Sequence, residues 1–177
     1  MTDIDVAAAR AVTPGTAQVL HFNNAGAGLM AKPVLDAVVA HLRLEAEIGG
    51  YEAADRARDA FSNTYAALAR FLNCGTEEIA LMENATAAWQ AAFYGLANGF
   101  RPGERILTAE AEYASNYIAF LQMAKRSGVT VEAVPSTAEG EFDVDALENM
   151  IDDRVRLIAV THVPTNGGLV NPAAAIG

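Results

Sequence analysis

The stretch "IALMENATAAWQAA", residues 79–92, joins two patterns that cannot belong to one element. With Glu78 in front, "EIALM" is a short apolar run and reads as a strand. "ATAAWQAAFYGLA", 85–97, is rich in helix formers and reads as a helix. Between them lies Asn84-Ala85-Thr86, small and rich in hydrogen-bonding groups. A strand handing over to a helix through such a turn is the repeating unit of an α/β fold.

Downstream the alternation is regular. "RILTAE" (105–110) reads as a strand, and 115–127 as a helix closed by "KRSG". "VTVEAVP" (129–135) is a strand. "DVDALENMI" (143–151) is a helix opened by an aspartate cap. "VRLIAVTHV" (155–163) is a long, mostly apolar strand. Such alternation predicts a parallel sheet with right-handed crossovers, covered on both faces. The last segment, "VNPAAAIG", starts a helix at Asn-Pro and runs to Gly177, which reads as the front part of a longer protein.

Upstream the pattern is helical. Residues 1–19 are alanine-rich and aperiodic and read as a loose arm. "HFNNAGAGL" (21–29) is a short extended piece running into a glycine-rich bend. Pro33 suits a first helical turn. Val34, Leu35, Val38, Val39 and Leu42 then recur at helical spacing, with Gly49-Gly50 as a stop. A second helix is expected from about Ala53 to Leu72, its apolar stripe marked by Phe61, Tyr65, Leu68 and Leu72.

Composition limits the function classes. Of 177 residues, 52% are hydrophobic and 19% charged, a globular balance. The formal charge of −10 argues against nucleic acid or an anionic membrane as a partner. No apolar run is long enough to span a bilayer, and the N-terminus lacks a signal pattern. One cysteine, Cys74, allows no intrachain disulfide and suits a cytoplasmic location. His21, His41 and His162 have no tight ligand spacing, so no metal site is expected.

Three turns follow expected strands. In a parallel sheet they lie at the carboxyl edge, where ligands bind. Asn84-Ala85-Thr86 opens a helix, whose free N–H groups suit a phosphate. An ordinary N-cap uses the same residues. "TAEAEYASN" (108–116) carries Tyr113, able to stack on a flat ligand or to pack at a helix start. "THVPTNGGLVNP" (161–172) offers His162, Thr165 and Asn166, in residues that also make plain turns. Neither G-x-G-x-x-G nor G-x-x-x-x-G-K-[ST] is present.

Read together, "HFNNAGAGLMAKPVLDAV", "NATAAW", "AEYASN" and "RLIAVTHVPTNGGLVNP" resemble the class V, fold-type I pyridoxal-phosphate enzymes. These include cysteine desulfurases, selenocysteine lyases, epimerase-like proteins and class V aminotransferases. The resemblance covers about residues 20–177. It implies the front part of a fold-type I large domain, a mostly parallel sheet flanked by helices, preceded by an N-terminal helical segment. The implied division is an arm and helical segment over 1–60 and an incomplete cofactor-binding domain over 61–177.

The resemblance also implies roles. Ala85 and Thr86 would hold the phosphate of pyridoxal 5'-phosphate. Tyr113 would stack on its ring, where desulfurases commonly have histidine, a departure that favours an epimerase-like or lyase-like branch. Thr165 or Asn166 would meet the phenolic oxygen, an amide donor favouring Asn166. Asn24, Ala25 and Gly26 would lie near the carboxylate of an amino acid substrate. A homodimer is implied for the full-length protein, with residues 47–55 near the partner subunit. The chemistry needs a Schiff-base lysine. The chain has two lysines, Lys32 and Lys125, and neither matches the family position. No catalytic residue is therefore assigned. A reading from another class is a non-catalytic α/β module that holds a phosphorylated ligand.

Overall fold

The computed structural model describes residues 4–24, 26–165 and 168–177. The chain forms two compact units, Met1–Ala80 and Leu81–Gly177.

The first unit is helical. Within the arm expected at 1–19, the described residues are structured: α1 spans Val6–Ala11 and a 3-10 turn spans Pro14–Ala17. Asp5 makes the helix possible in this aperiodic stretch, its Oδ1 accepting from Ala8 N at 2.9 Å as an N-cap. Helix α2, Lys32–Ile48, has Pro33 in its first turn, as expected, and stops at Gly49. Gly49 has φ +94°, a conformation open to glycine and strained for other residues.

The single helix expected from Ala53 to Leu72 is two helices, α3 (Gly50–Arg56) and α4 (Arg58–Leu72). Ala57, at φ −86° and ψ 0°, forms the corner, which Arg58 and Asp55 bridge at 2.6 Å. Apolar spacing continues through such a corner, so periodicity alone does not reveal it. Helix α4 ends on Asn73 in the left-handed region. The stripe residues Val34, Leu35, Val38 and Leu42 remain about half exposed.

The second unit is α/β, as expected. Helix α5 (Ala85–Ala97) leads to β1 (Arg105–Ala109), α6 (Ala114–Ser127), β2 (Thr130–Val134), α7 (Val144–Met150), β3 (Val155–Ala159) and α8 (Ala173–Ile176). The three strands form a parallel sheet in the order β2-β1-β3. All five residues of β1 are buried.

Side chains alternate across β1. Ile106 joins Phe93, Ala97, Phe120 and Met123 of α5 and α6 in one cluster. Leu107 and Ala109 join Val134, Phe142 and Leu147 in another, which includes α7. Trp89, Phe93 and Phe120 lock the first cluster, with ring centroids 4.7–5.2 Å apart in stacked and edge-on pairs.

Two strand expectations are corrected. "EIALM" is not a strand. Ile79 has extended backbone, but no described strand pairs with the segment, and Leu81 and Met82 are about half exposed. A strand exists only where a neighbour completes its hydrogen bonds. The long strand expected at 155–163 stops at Ala159, the partner of Thr108 near the end of β1. Past that point the chain turns away, and the Thr161 carbonyl accepts from the Asn171 side chain at 2.7 Å.

The amino end of the sheet is fastened by Arg105, 8% exposed. Its guanidinium donates to both oxygens of Glu132 at 2.7 and 2.8 Å and to the Met150 carbonyl at 2.7 Å. It also lies 3.1 Å from Asp152. Bidentate pairing and a carbonyl satisfy a cation that burial would otherwise penalise. The bond from Arg105 holds the Glu132 carboxyl below its ordinary range. Arg154, followed by Arg105, holds Asp152 down to about 2.

Both carboxylates have depressed folded-state values. Their stabilising effect is present above the ordinary carboxylate range and is lost as pH falls through the folded values. The chain should therefore lose stability between about pH 4 and pH 2. Arg105→Met should cost about 2 kcal/mol at neutral pH and remove the part of that acid limb that Glu132 contributes, while Arg154 keeps most of the part due to Asp152. Urea unfolding across this pH range measures both, and an unchanged limb in the variant would contradict the assignment.

Candidate functional site

The start of α5 is built by Asn84. Its Oδ1 accepts from Ala87 N at 2.9 Å, while its carbonyl accepts the first helical bond, from Ala88 N at 3.1 Å. The N–H groups of Ala85 and Thr86 thus stand outside the helix's own ladder, at its positive end. Ala85 is exposed and Thr86 half-buried. The Thr86 hydroxyl lies 3.4 Å from the Ser115 hydroxyl, in the first turn of α6. The two helix starts therefore meet at the edge where β1 delivers its chain.

Tyr113 is the N-cap of α6 and is 51% exposed. A small pocket of about 140 Å³ is lined by Glu112, Tyr113, Ala114, Thr161 and Thr165, with Ala111. Two of the expected site residues, Tyr113 and Thr165, thus face one cavity. Thr86 reaches the same helix start through Ser115, two residues past Tyr113. Asn166 lies outside the described residues.

Asn24 and Gly26 belong to the first unit, and Ala25 lies outside the described residues. Gly26 N donates to Asn23 Oδ1 at 3.0 Å. A Cβ on Gly26 would come within 2.6 Å of the Asn23 amide, so a larger residue here would displace that side chain. Asn24 and Gly28 line a groove of about 560 Å³ with Arg10, Thr16, His21 and Phe22. His21 Nε2 is buried there, with no hydrogen-bond partner among the described residues.

Two residues that carry the geometry of the second unit are missing from the expected set. Glu112 has its carboxylate among Thr108, Tyr113, Asn116 and Thr161. Asn171, 4% exposed, donates to the Thr161 carbonyl and accepts from Phe142 N at 3.1 Å. Its place before Pro172 suggests a helix start, yet its side chain caps nothing in α8. The available signal was an acid and an amide beside expected sheet-edge turns, where buried backbone must find partners.

Asn171→Ala would strand a buried N–H and a carbonyl together. It should cost about 2–4 kcal/mol. Chemical denaturation checks this, and a loss below about 0.5 kcal/mol would show that the loop holds without the amide.

Among the described residues no group of histidine, cysteine and carboxylate side chains is arranged to hold a metal ion. No helix among the described residues is long and apolar enough to cross a membrane.

Comparisons with known proteins agree with this architecture. A probable cysteine desulfurase of Pyrococcus abyssi is 28% identical over 167 residues, 93% of this chain and 41% of that protein. A cysteine desulfurase of Dickeya dadantii is 34% identical over 124 residues, 68% of this chain and 30% of that protein. Among solved structures, the cystine C–S lyase C-DES in complex with its reaction product cysteine persulfide superposes with a TM-score of 0.83. The identity is 26%, over 93% of this chain and 44% of that one. A C-DES mutant with glycine covalently linked to its PLP cofactor gives a TM-score of 0.84, again at 26% identity, over 94% of this chain and 44% of that one.

The fold-type I expectation is met by these structures. Cysteine desulfurases stand among the chain's relatives, and a cystine C–S lyase among the similar solved structures. The chain spans less than half the length of these relatives. The aminotransferase class-V family matches residues 20–177, and the chain belongs to that family.

Proposed function

We propose that this chain carries the phosphate-binding and ring-binding part of a pyridoxal-phosphate enzyme that acts on an amino acid, with carbon–sulfur bond cleavage as the reaction type. The single observation that carries this reading is the meeting of the α5 and α6 starts through Thr86 and Ser115, beside the pocket of Tyr113 and Thr165. The residues fit the group. The N–H groups of Ala85 and Thr86 and the Thr86 hydroxyl suit a phosphate. The half-exposed Tyr113 ring suits a flat heteroaromatic, and Thr165 offers a hydroxyl to its rim. When bound, pyridoxal phosphate supplies an electron sink for a carbanion at the amino acid's α carbon.

Cysteine or a related sulfur amino acid is the substrate class, on the strength of the relatives' names. Asn166 remains in the proposal as a donor to the phenolic oxygen, and Asn24, Ala25 and Gly26 as residues near the substrate carboxylate. Residues 1–60 as arm and helical segment, 61–177 as cofactor-binding domain, and a cytoplasmic location belong to the same reading. So does a homodimer of the full-length protein around residues 47–55, where Tyr51 is 91% exposed.

Covalent catalysis by the chain alone is not part of the proposal. Lys32 is paired with Asp36 in α2. Lys125 sits in the last turn of α6, twelve residues and about 18 Å along the helix from Tyr113. There it complements the helix dipole.

Two measurements test this. Thr86→Val should weaken pyridoxal-phosphate binding about tenfold in equilibrium dialysis, since one hydrogen bond to a charged group is lost. Equal affinity for variant and wild type would remove Thr86 from the phosphate site. Borohydride reduction of the chain with the cofactor, followed by peptide mapping, should label Lys32 and Lys125 sparsely and without turnover. Stoichiometric labelling of one lysine together with amino acid turnover would overturn the reading.

A further inference from the structure

We infer that Glu112 is the positioning residue of this site, acting through the geometry of its acceptor oxygens to hold both walls of the Tyr113 pocket. Its Oε1 accepts from Tyr113 N at 2.7 Å, Asn116 Nδ2 at 3.0 Å and Thr161 Oγ1 at 2.6 Å. Its Oε2 lies 3.4 Å from Thr108 Oγ1. The donors come from three elements. Thr108 is on the central strand, fully buried. Tyr113 and Asn116 are at the start of α6, and Thr161 follows β3.

These bonds differ in reach. The bond to Tyr113 N fixes the residue whose ring forms one wall. The bond to Thr161 crosses to the segment that forms the other wall and leads to Thr165. Tyr113 has no side chain able to cap α6, so the acceptor at this helix start comes from the preceding residue. Three donors converge on one acceptor oxygen, so a single side chain fixes the helix start and the segment after β3 in one geometry, which a neutral carbonyl oxygen at the same place can also accept. No bond to a ligand is needed for this role.

The inference rests on the reading of the pocket as a cofactor site, but its geometry can be tested apart from that reading. Glu112→Gln can place its carbonyl oxygen among the same three donors and turn its amide toward the Thr108 hydroxyl, which can accept. Glu112→Ala removes every bond. Thr161→Val removes only the bond across the pocket and is the milder variant should Glu112→Ala fail to fold.

The experiment measures amide hydrogen exchange and amide chemical shifts of the chain, with pyridoxal-phosphate affinity and induced circular dichroism alongside. In Glu112→Ala the Tyr113 amide should exchange at least tenfold faster, and the 161–165 resonances should move. Cofactor affinity should fall about tenfold. Thr161→Val should move the 161–165 resonances and spare Tyr113 protection. Glu112→Gln should stay within about twofold of wild type in protection and affinity.

Unchanged 161–165 resonances in both Glu112→Ala and Thr161→Val would overturn the inference. Failure of Glu112→Gln as severe as that of Glu112→Ala would also overturn it, by making the charge itself the requirement. A wild-type chain that does not bind pyridoxal phosphate would defeat the functional proposal, and the amide measurements would still decide the role of Glu112.

Discussion

Strand β1 is the constraint on which the second unit depends. It is the only described strand with a neighbour on each side, and every one of its residues is buried. A buried strand must satisfy its polar groups within the protein and fill both faces with apolar side chains. The backbone meets the first demand through parallel ladders to β2 and β3. Ile106 and Leu107 meet the second, one on each face. What remains polar is gathered at the two ends: Arg105 with Glu132 and Asp152, and Thr108 with Glu112.

The two ends differ in what they leave available. At the amino end the guanidinium is saturated by acceptors, and the cluster is structural. At the carboxyl end the turn is short, and the next helix begins at Ala114. The start of α5 is brought alongside by Thr86 and Ser115. Two helix starts meet at one sheet edge through the Thr86 and Ser115 hydroxyls, and helix starts are where backbone N–H groups can stabilise an anion. The proposed cofactor site follows from that arrangement: two positive helix ends, an exposed aromatic ring and hydroxyls from the neighbouring segment.

Much of this was legible in the residues. Helix α5 begins at Ala85 because Asn84 is a good cap, and the α5 boundaries match the expected ones. The strands at 105, 130 and 155 were marked by apolar runs between turn residues. Partnership was not legible. "EIALM" has the composition of a strand and none of its pairing, because pairing depends on residues elsewhere in the fold. The strand from Val155 was read too long for the same reason, since its end is set by the length of β1. The break at Ala57 and the cap at Asp5 are local backbone events that periodicity does not register. Glu112 and Asn171 escaped notice because each looks like ordinary turn chemistry until its partners from distant segments are known.

The account's central claim is that the phosphate of the cofactor is held where α5 and α6 begin. An NMR titration of the chain with pyridoxal phosphate tests it most directly. The account predicts saturable amide shifts concentrated at Ala85, Thr86, Tyr113, Ser115 and Thr165, with inorganic phosphate moving only the first two and Ser115. Shifts confined to the surroundings of Lys32 and Lys125, with none at the two helix starts, would contradict it.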